Sequence, residues 1–185
     1  MLFQPTKLDG AYLIAMQKLE DERGFFARSW CASEFAKQGL DSHLVQCNVS
    51  FNRHKGTLRG MHYQAAPCAE TKLVRCTSGA IYDVIIDLRP TSPTYLQWTA
   101  ITLSAENRLM LYVPKGFAHG SQTLADETEV FYQMSNVYAP AYARGLHWND
   151  PLFRLEWPLA VTVLSTKDQQ YADYQVEQPM LAEEV

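Results

Sequence analysis

From Lys72 to Met134 the apolar residues fall in short runs, each closed by turn residues before it reaches helical length. Lys72–Thr77, Ala80–Leu88, Leu96–Leu103, Arg108–Val113, Gly120–Leu124 and Glu129–Met134 read as strands. Ser78-Gly79, Pro90 to Pro93, Ala105 to Asn107, Pro114 to Gly116 and Ala125-Asp126 read as the turns between them. Strands this closely spaced predict a closed or sandwiched antiparallel sheet. The N-terminal third predicts one helix, Cys31 to Gln38, with Ser33-Glu34 near its start and Gly39 as its stop. After Pro151, short apolar runs mixed with polar turns predict a tail that covers the barrel edge. No repeat, low-complexity tract or linker divides residues 1–185, so a single domain is expected.

One strand-like stretch holds chemistry as well as pattern. Gly56 to Gln64 sets a histidine, an arginine and two glycines in a run that otherwise reads as strand. Period-two alternation turns His62 away from Met61 and Tyr63. If that face lines a cavity, an enclosed imidazole lies near Arg59, a base beside an anion site. Val113 to Gly120 is a turn leading into a strand, with His119 just after the turn. In a jelly roll, histidines on adjacent inner strands face one cavity.

Composition narrows the class. The 185 residues suffice for one domain with a sizeable core, and 47% hydrophobic with 19% charged residues is a globular balance. A net charge of −4 argues against a nucleic-acid partner. No apolar run reaches membrane-spanning length, and Met1 to Leu8 lacks the layout of a signal peptide. Cys31, Cys47, Cys68 and Cys76 have no CxxC spacing and read as free thiols. A soluble cytoplasmic protein, with neither nucleic-acid nor membrane partner, is the expectation.

Taken together in order, Arg23-Gly24-Phe25-Phe26, Gly56 to Gln64, Lys72-Leu73-Val74-Arg75, Asp83 to Arg89, Pro114 to Gly120 and Trp148-Asn149-Asp150-Pro151 resemble the dTDP-4-dehydrorhamnose 3,5-epimerase family. The resemblance runs from about Asp21 to Asp168. It implies an all-β, cupin-like jelly roll (a double-stranded β-helix) with a few short peripheral helices, working as a homodimer without metal or other cofactor. The substrate it implies is a nucleotide-diphosphate sugar, a 4-keto-6-deoxyhexose such as dTDP-4-dehydro-6-deoxyglucose, inverted at C3 and C5 or at C3 only.

Inverting a carbon beside a ketone needs a base, a group that holds the enolate, and an acid on the opposite face. By the resemblance these are His62 as base, Lys72 as enolate stabiliser and Tyr132 as acid, with Asp168 on the far nitrogen of His62. On the residues alone, nothing singles out Tyr132 among ten tyrosines. Arg23, Arg59 and Lys167 match diphosphate-binding cations, Arg offering a planar fork to phosphate oxygens. Gln46 and Asn48 match polar substrate contacts and Tyr138 an aromatic that stacks on thymine, while His119, beside a glycine after its turn, is expected to face the cavity and bind substrate. Arg28, Cys47, Val49 and Ala143 depart from residues common in the family, all in the expected substrate-contact layer. They leave the nucleotide, the sugar and single or double inversion open. Other readings are a metal-dependent cupin, a related 3-epimerase or ketoisomerase, and a non-catalytic sugar-nucleotide binder. His62 is followed by Tyr63-Gln64 and His119 by Gly120-Ser121, so the close HxH pair typical of metal cupins is missing.

Overall fold

Short apolar runs punctuated by turns have become strands along most of the chain. The computed structural model describes residues 1–176, so the last part of the expected 1–185 domain lies outside the described residues. In chain order the N-terminal elements are β1 (Leu2–Pro5), β2 (Tyr12–Ala15), β3 (Lys18–Asp21), β4 (Gly24–Ala27) and helix α1 (Ala32–Lys37). Then come β5 (Gln46–Asn52), β6 (Leu58–Gln64), β7 (Lys72–Ser78), β8 (Ala80–Asp87) and β9 (Trp98–Ser104). The remainder are β10 (Met110–Val113), β11 (Phe117–Thr123), β12 (Thr128–Met134), β13 (Ala143–Gly145) and helix α2 (Thr166–Gln169).

Two antiparallel sheets face each other. One is ordered β1-β2-β10-β7-β12-β5, the other β13-β6-β11-β8-β9, and β3 with β4 forms a separate hairpin. Between the sheets lie Val74, Cys76, Ile81, Ile85, Leu103, Leu111, Val113, Phe117 and Val130. Each fully buried aliphatic side chain of this kind stabilises the fold by about 1.5–3 kcal/mol. The outer faces are covered as well. Phe35 of α1 packs on Ile14, Leu73, Met110 and Tyr112. Phe153 and Leu155 of the tail pack on Met61, Val84, Ile86 and Ala118. The tail therefore covers a sheet face rather than only an edge. It is tied down where Gln122 donates to the Leu159 carbonyl at 2.9 Å and where Val163 bridges to Thr57 in parallel register.

The predicted helix and the six central strands are present, with shifted ends. The strand expected from Leu96 starts at Trp98, and that expected from Arg108 starts at Met110. Leu96 and Arg108 stand at φ of 61° and 56°, a left-handed backbone that a strand cannot include. The strand expected from Gly120 begins earlier, at Phe117, directly after the Gly116 turn, so His119 lies within it. Strands β1 to β5 went unread in the sequence. All four cysteines are free, and burial pushes the Cys76 thiol up to about 11.

A bulge in β6 sets the site. His62 pairs with His119 across β6 and β11, while Arg59 pairs with Ser121, so β6 spends an extra residue at Gly60. Arg59 and His62 are an odd number of residues apart and would otherwise point to opposite faces. The bulge lets both reach the same cavity. Gly60 sits at φ 134°, and a Cβ there would meet the Cα of Gly120 at 2.5 Å. Gly60→Ala is expected to destabilise the protein by about 1–3 kcal/mol through backbone strain. Urea melts of the two proteins check it.

Candidate active site

A cavity of about 790 Å³ opens between the two sheets at the end where β5, β6, β7, β11 and β12 meet. Gln46, Asn48, Arg59, His62, Lys72, His119, Tyr132, Tyr138, Lys167 and Asp168 all line it. These predicted site residues are scattered over more than a hundred positions of sequence, and the fold brings them together. Arg23 is the exception. It lies on the β3–β4 hairpin, its side chain 90% exposed and paired with Asp21, outside the cavity of its own chain. It stands apart because the hairpin that bears it joins neither main sheet.

His62 is held from the far end of the chain. His62 Nε2 lies 2.7 Å from Asp168 Oδ1, across 106 residues. Ser165 caps α2 by accepting from the Asp168 amide at 3.0 Å, which turns the buried carboxylate toward His62. The Gly60 amide donates to its other oxygen at 3.4 Å. Burial pushes the Asp168 carboxyl up, but the hydrogen bond and charge of His62, with the Gly60 and Ser165 contacts, outweigh it and hold it below its ordinary value. A carboxylate only accepts, so the shared proton belongs to Nε2 and Nδ1 is left as the basic nitrogen. Asp168 thus plays the orienting part of the third member of a hydrolase triad.

His119, directly opposite His62 in register, has its own carboxylate. Its Nε2 lies 2.7 Å from Asp83 Oδ1, and Asp83 is fully buried on β8. On the facing sheet, Lys72 Nζ lies 2.6 Å from Glu70 Oε1. Tyr132 of β12 pairs with Val74 and Met134 with Lys72, which makes Lys72 and Tyr132 diagonal neighbours on one sheet face. Burial raises the Tyr132 phenol above its ordinary value, with Glu70 and Tyr138 adding to the rise and Arg59 opposing it.

The mouth of the cavity is cationic and aromatic. Arg59 Nε donates to Asn52 Oδ1 at 2.7 Å, which fixes its guanidinium. Lys167 lies 5.9 Å from the centre of the Tyr171 ring, and the hydrogen bond with that phenol holds its ammonium above the ordinary lysine value. Gln46 Oε1 accepts from the Tyr138 amide at 2.8 Å, and Gln46 in turn donates to Asn48 at 3.0 Å. Tyr138 is half exposed at the rim. Of the departures from the family pattern, Val49 and Ala143 line the cavity, but Arg28 and Cys47 do not. Arg28 pairs with Glu34 of α1 at 2.6 Å and Cys47 is exposed beside Gln133, so neither meets the cavity of its own chain.

Three cavity groups escaped the sequence reading. Asp83 left a signal, a lone carboxylate within Ile81-Tyr82-Asp83-Val84-Ile85. Glu70 is two residues before Lys72 and shares its face by alternation. Tyr171 left none; its ring, 5.9 Å from that of His62, lies over Gly145, where a Cβ would strike it.

Fold and site define a jelly-roll protein equipped to move protons on an anionic ligand enclosed between two sheets. A family model for dTDP-4-dehydrorhamnose 3,5-epimerase matches residues 5–175. A protein of that name from Sinorhizobium fredii is 44% identical over 169 residues, 91% of this chain and 87% of its own. The crystal structure of the Bacillus anthracis dTDP-4-dehydrorhamnose 3,5-epimerase with TDP and PPi bound superposes with a TM-score of 0.90 at 40% identity, covering 94% of this chain and 99% of the other. A Legionella pneumophila 3,5-epimerase in complex with dTDP-4-keto-L-rhamnose gives 0.86 at 36% identity, covering 93% and 92%. The chain belongs to the dTDP-4-dehydrorhamnose 3,5-epimerase family, whose members are isomerases.

Asp168→Asn tests the dyad. The depressed Asp168 carboxyl contributes stability that is present above the ordinary carboxylate value of about 4 and is lost as pH falls through its folded value. The stability gap between wild type and Asp168→Asn is therefore expected at pH 7, at about 1–3 kcal/mol, and to shrink below about pH 4. Urea melts across pH 3–7 check it.

Proposed function

We propose that this chain inverts C3 and C5 of dTDP-4-dehydro-6-deoxyglucose without a cofactor, with His62 as base and Tyr132 as acid. The supporting observation is that His62 stands on one sheet and Tyr132 on the other, with the cavity between them. Epimerisation requires a proton to leave one face of a carbon and arrive at the opposite face. A base and an acid on facing sheets have that relation to a sugar held in the gap. The Nδ1 of His62 takes the proton from the carbon next to the ketone, and Asp168 stabilises the imidazolium. Negative charge moves to the ketone oxygen, where Lys72 offsets it by about 2.7–4 kcal/mol if it acts like one oxyanion donor. Tyr132, kept protonated by its raised value, delivers a proton to the other face and recovers one from solvent, and the His62 imidazolium releases to solvent the proton it took. Arg59 and Lys167 bind the diphosphate, His119, Gln46 and Asn48 contact the sugar nucleotide, and Tyr138 stacks on the base.

The reading includes a homodimer in the cytoplasm. The β3–β4 hairpin exposes Leu19, Phe25 and Phe26, and the edge strand β5 exposes Val49 and Phe51 beside the cavity. Exposed apolar residues on an unpaired edge are a pairing surface. A second copy laid hairpin to edge covers both patches and brings Arg23 to the diphosphate end of its partner's cavity. Among the described residues no helix is long and apolar enough to cross a membrane.

Incubation with dTDP-4-dehydro-6-deoxyglucose in heavy water is expected to place deuterium at C3 and C5, read by NMR. Label at C3 alone indicates the narrower 3-epimerase, and absence of label sinks the epimerase reading. His62→Ala is expected to lower exchange at both carbons by at least about 10³-fold while sparing thymidine diphosphate binding. Tyr132→Phe should impair product formation more than proton loss. For the dimer, mixing inactive His62→Ala with impaired Arg23→Ala subunits is expected to restore activity, since the mixed dimer holds one complete site. A mixture no more active than its parents argues that Arg23 works elsewhere.

A further inference from the structure

Lys72 meets the cavity with its side chain only 11% exposed, so nearly all of its hydration is gone. A lysine in that position is costly as a cation unless a negative charge accompanies it. Glu70 supplies that charge. Its side chain is 2% exposed, one oxygen lies 2.6 Å from Lys72 Nζ, and its Oε2 is buried without a hydrogen-bond partner. A carboxylate so nearly dry, with a bare second oxygen, contributes little as packing and is anchored by the Lys72 ammonium. The backbone between the two is clamped, since the Thr71 amide donates to Ser135 Oγ at 2.8 Å and the Ser135 amide donates to the Thr71 carbonyl at 3.1 Å. Two residues of one strand-like segment thus share a face, with the segment pinned to the end of β12 that bears Tyr132.

We propose that Glu70 is a positioning residue of this site: its buried carboxylate holds the Lys72 ammonium in place, facing the cavity. The inference rests on the epimerase reading for the use made of Lys72, but the ion pair and its effect on the amine stand apart from the substrate. Because Glu70 lies beside Lys72, the ammonium is already in position when the enolate forms. Glu70 also acts on the acid. Tyr132 is faced by Arg59 from β6, by Lys72 and Glu70 from the start of β7, and by Tyr138 beyond β12. Of these, Glu70 is a carboxylate, and its charge disfavours phenolate, so Tyr132 stays a proton donor to higher pH. One buried charge therefore positions the enolate-holding group and keeps the acid protonated.

Two measurements on the whole protein test this. The first needs no substrate: competitive labelling of lysine amines with acetic anhydride at pH 8, read by mass spectrometry. Glu70→Gln is expected to raise the Lys72 rate about tenfold as the amine leaves its ion pair, with the other lysines unchanged. An unchanged Lys72 rate overturns the proposal even if the enzyme epimerises. The second is the pH profile of turnover. Glu70→Gln is expected to move the alkaline limb of kcat to lower pH by about one unit with KM within about twofold, whereas Glu70→Asp, which keeps the charge, holds the limb at its wild-type position. A wild-type limb in folded Glu70→Gln, or a Glu70→Asp limb displaced as far as that of Gln, overturns it. Should Glu70→Gln fail to fold, Glu70→Asp decides, because a displaced limb and a faster-labelled Lys72 in that variant contradict a charge-holding role. If wild type exchanges no deuterium, the epimerase reading falls and labelling alone judges the ion pair.

Discussion

Charge taken out of water has to be matched, and that constraint shapes this molecule more than any other. Three carboxylates are buried around the cavity, and each holds one basic side chain that faces it. Asp168 holds His62 at 2.7 Å, Asp83 holds His119 at 2.7 Å, and Glu70 holds Lys72 at 2.6 Å. None of the three basic groups is left to wander, and each is oriented from behind by a group with almost no contact with solvent. The buried carboxylates are held in turn by strand β8, by the clamped segment before β7 and by the short capped helix α2. Pre-organisation of this kind lets a site stabilise developing charge without rearranging at the moment of reaction.

The second constraint is geometric. A jelly roll built from two facing sheets offers a substrate two different walls, and this chain furnishes them differently. The β6–β11 wall carries the paired histidines and Arg59, and the β7–β12 wall carries Lys72 and Tyr132. Inversion of a carbon needs that kind of two-sided approach, which a site on a single sheet face cannot give. The bulge at Gly60 completes the first wall by letting Arg59 and His62 serve the same cavity. The tail matters as much as the sheets, since without its contacts to Thr57 and Gln122 the helix bearing Asp168 and Lys167 has no fixed place.

Family motifs do not all serve chemistry. The segment Asp83 to Arg89 divides its labour: Asp83 goes to His119, while Asp87 binds Arg89, Ser92 and Thr94 and closes the turn that leads to β9. Asp150 of the Trp148 to Pro151 motif accepts from the amides of Leu152 and Tyr174 and folds the tail onto the sheet. The departures sort in the same way. Val49 and Ala143 border the cavity, so they bear on what it accepts, whereas Arg28 is engaged with α1 and Cys47 points away.

What could be read along the chain was local. Turn residues, period-two alternation and the Gly39 stop are properties of neighbouring residues, so the central strands and α1 were legible, and His62 stood out beside Arg59, while the role of Lys72 came from the resemblance. Strands β1 to β5 were not, because short polar or mixed runs become strands only when a neighbour supplies the ladder. The ends at Trp98 and Met110 depended on left-handed residues that composition does not announce. Resemblance located Asp168 and Tyr132, but the sequence held no trace of Tyr171 over Gly145 or of Arg23 lying outside its own cavity. Those are decided by contacts between residues far apart in the chain, such as the 106 positions from His62 to Asp168. The sequence by itself determined which segments alternate, which turn, and which residues have the chemistry of base, acid and cation. Tertiary structure decided which of them meet, because burial, register and the pairing of charge exist only once distant strands pack.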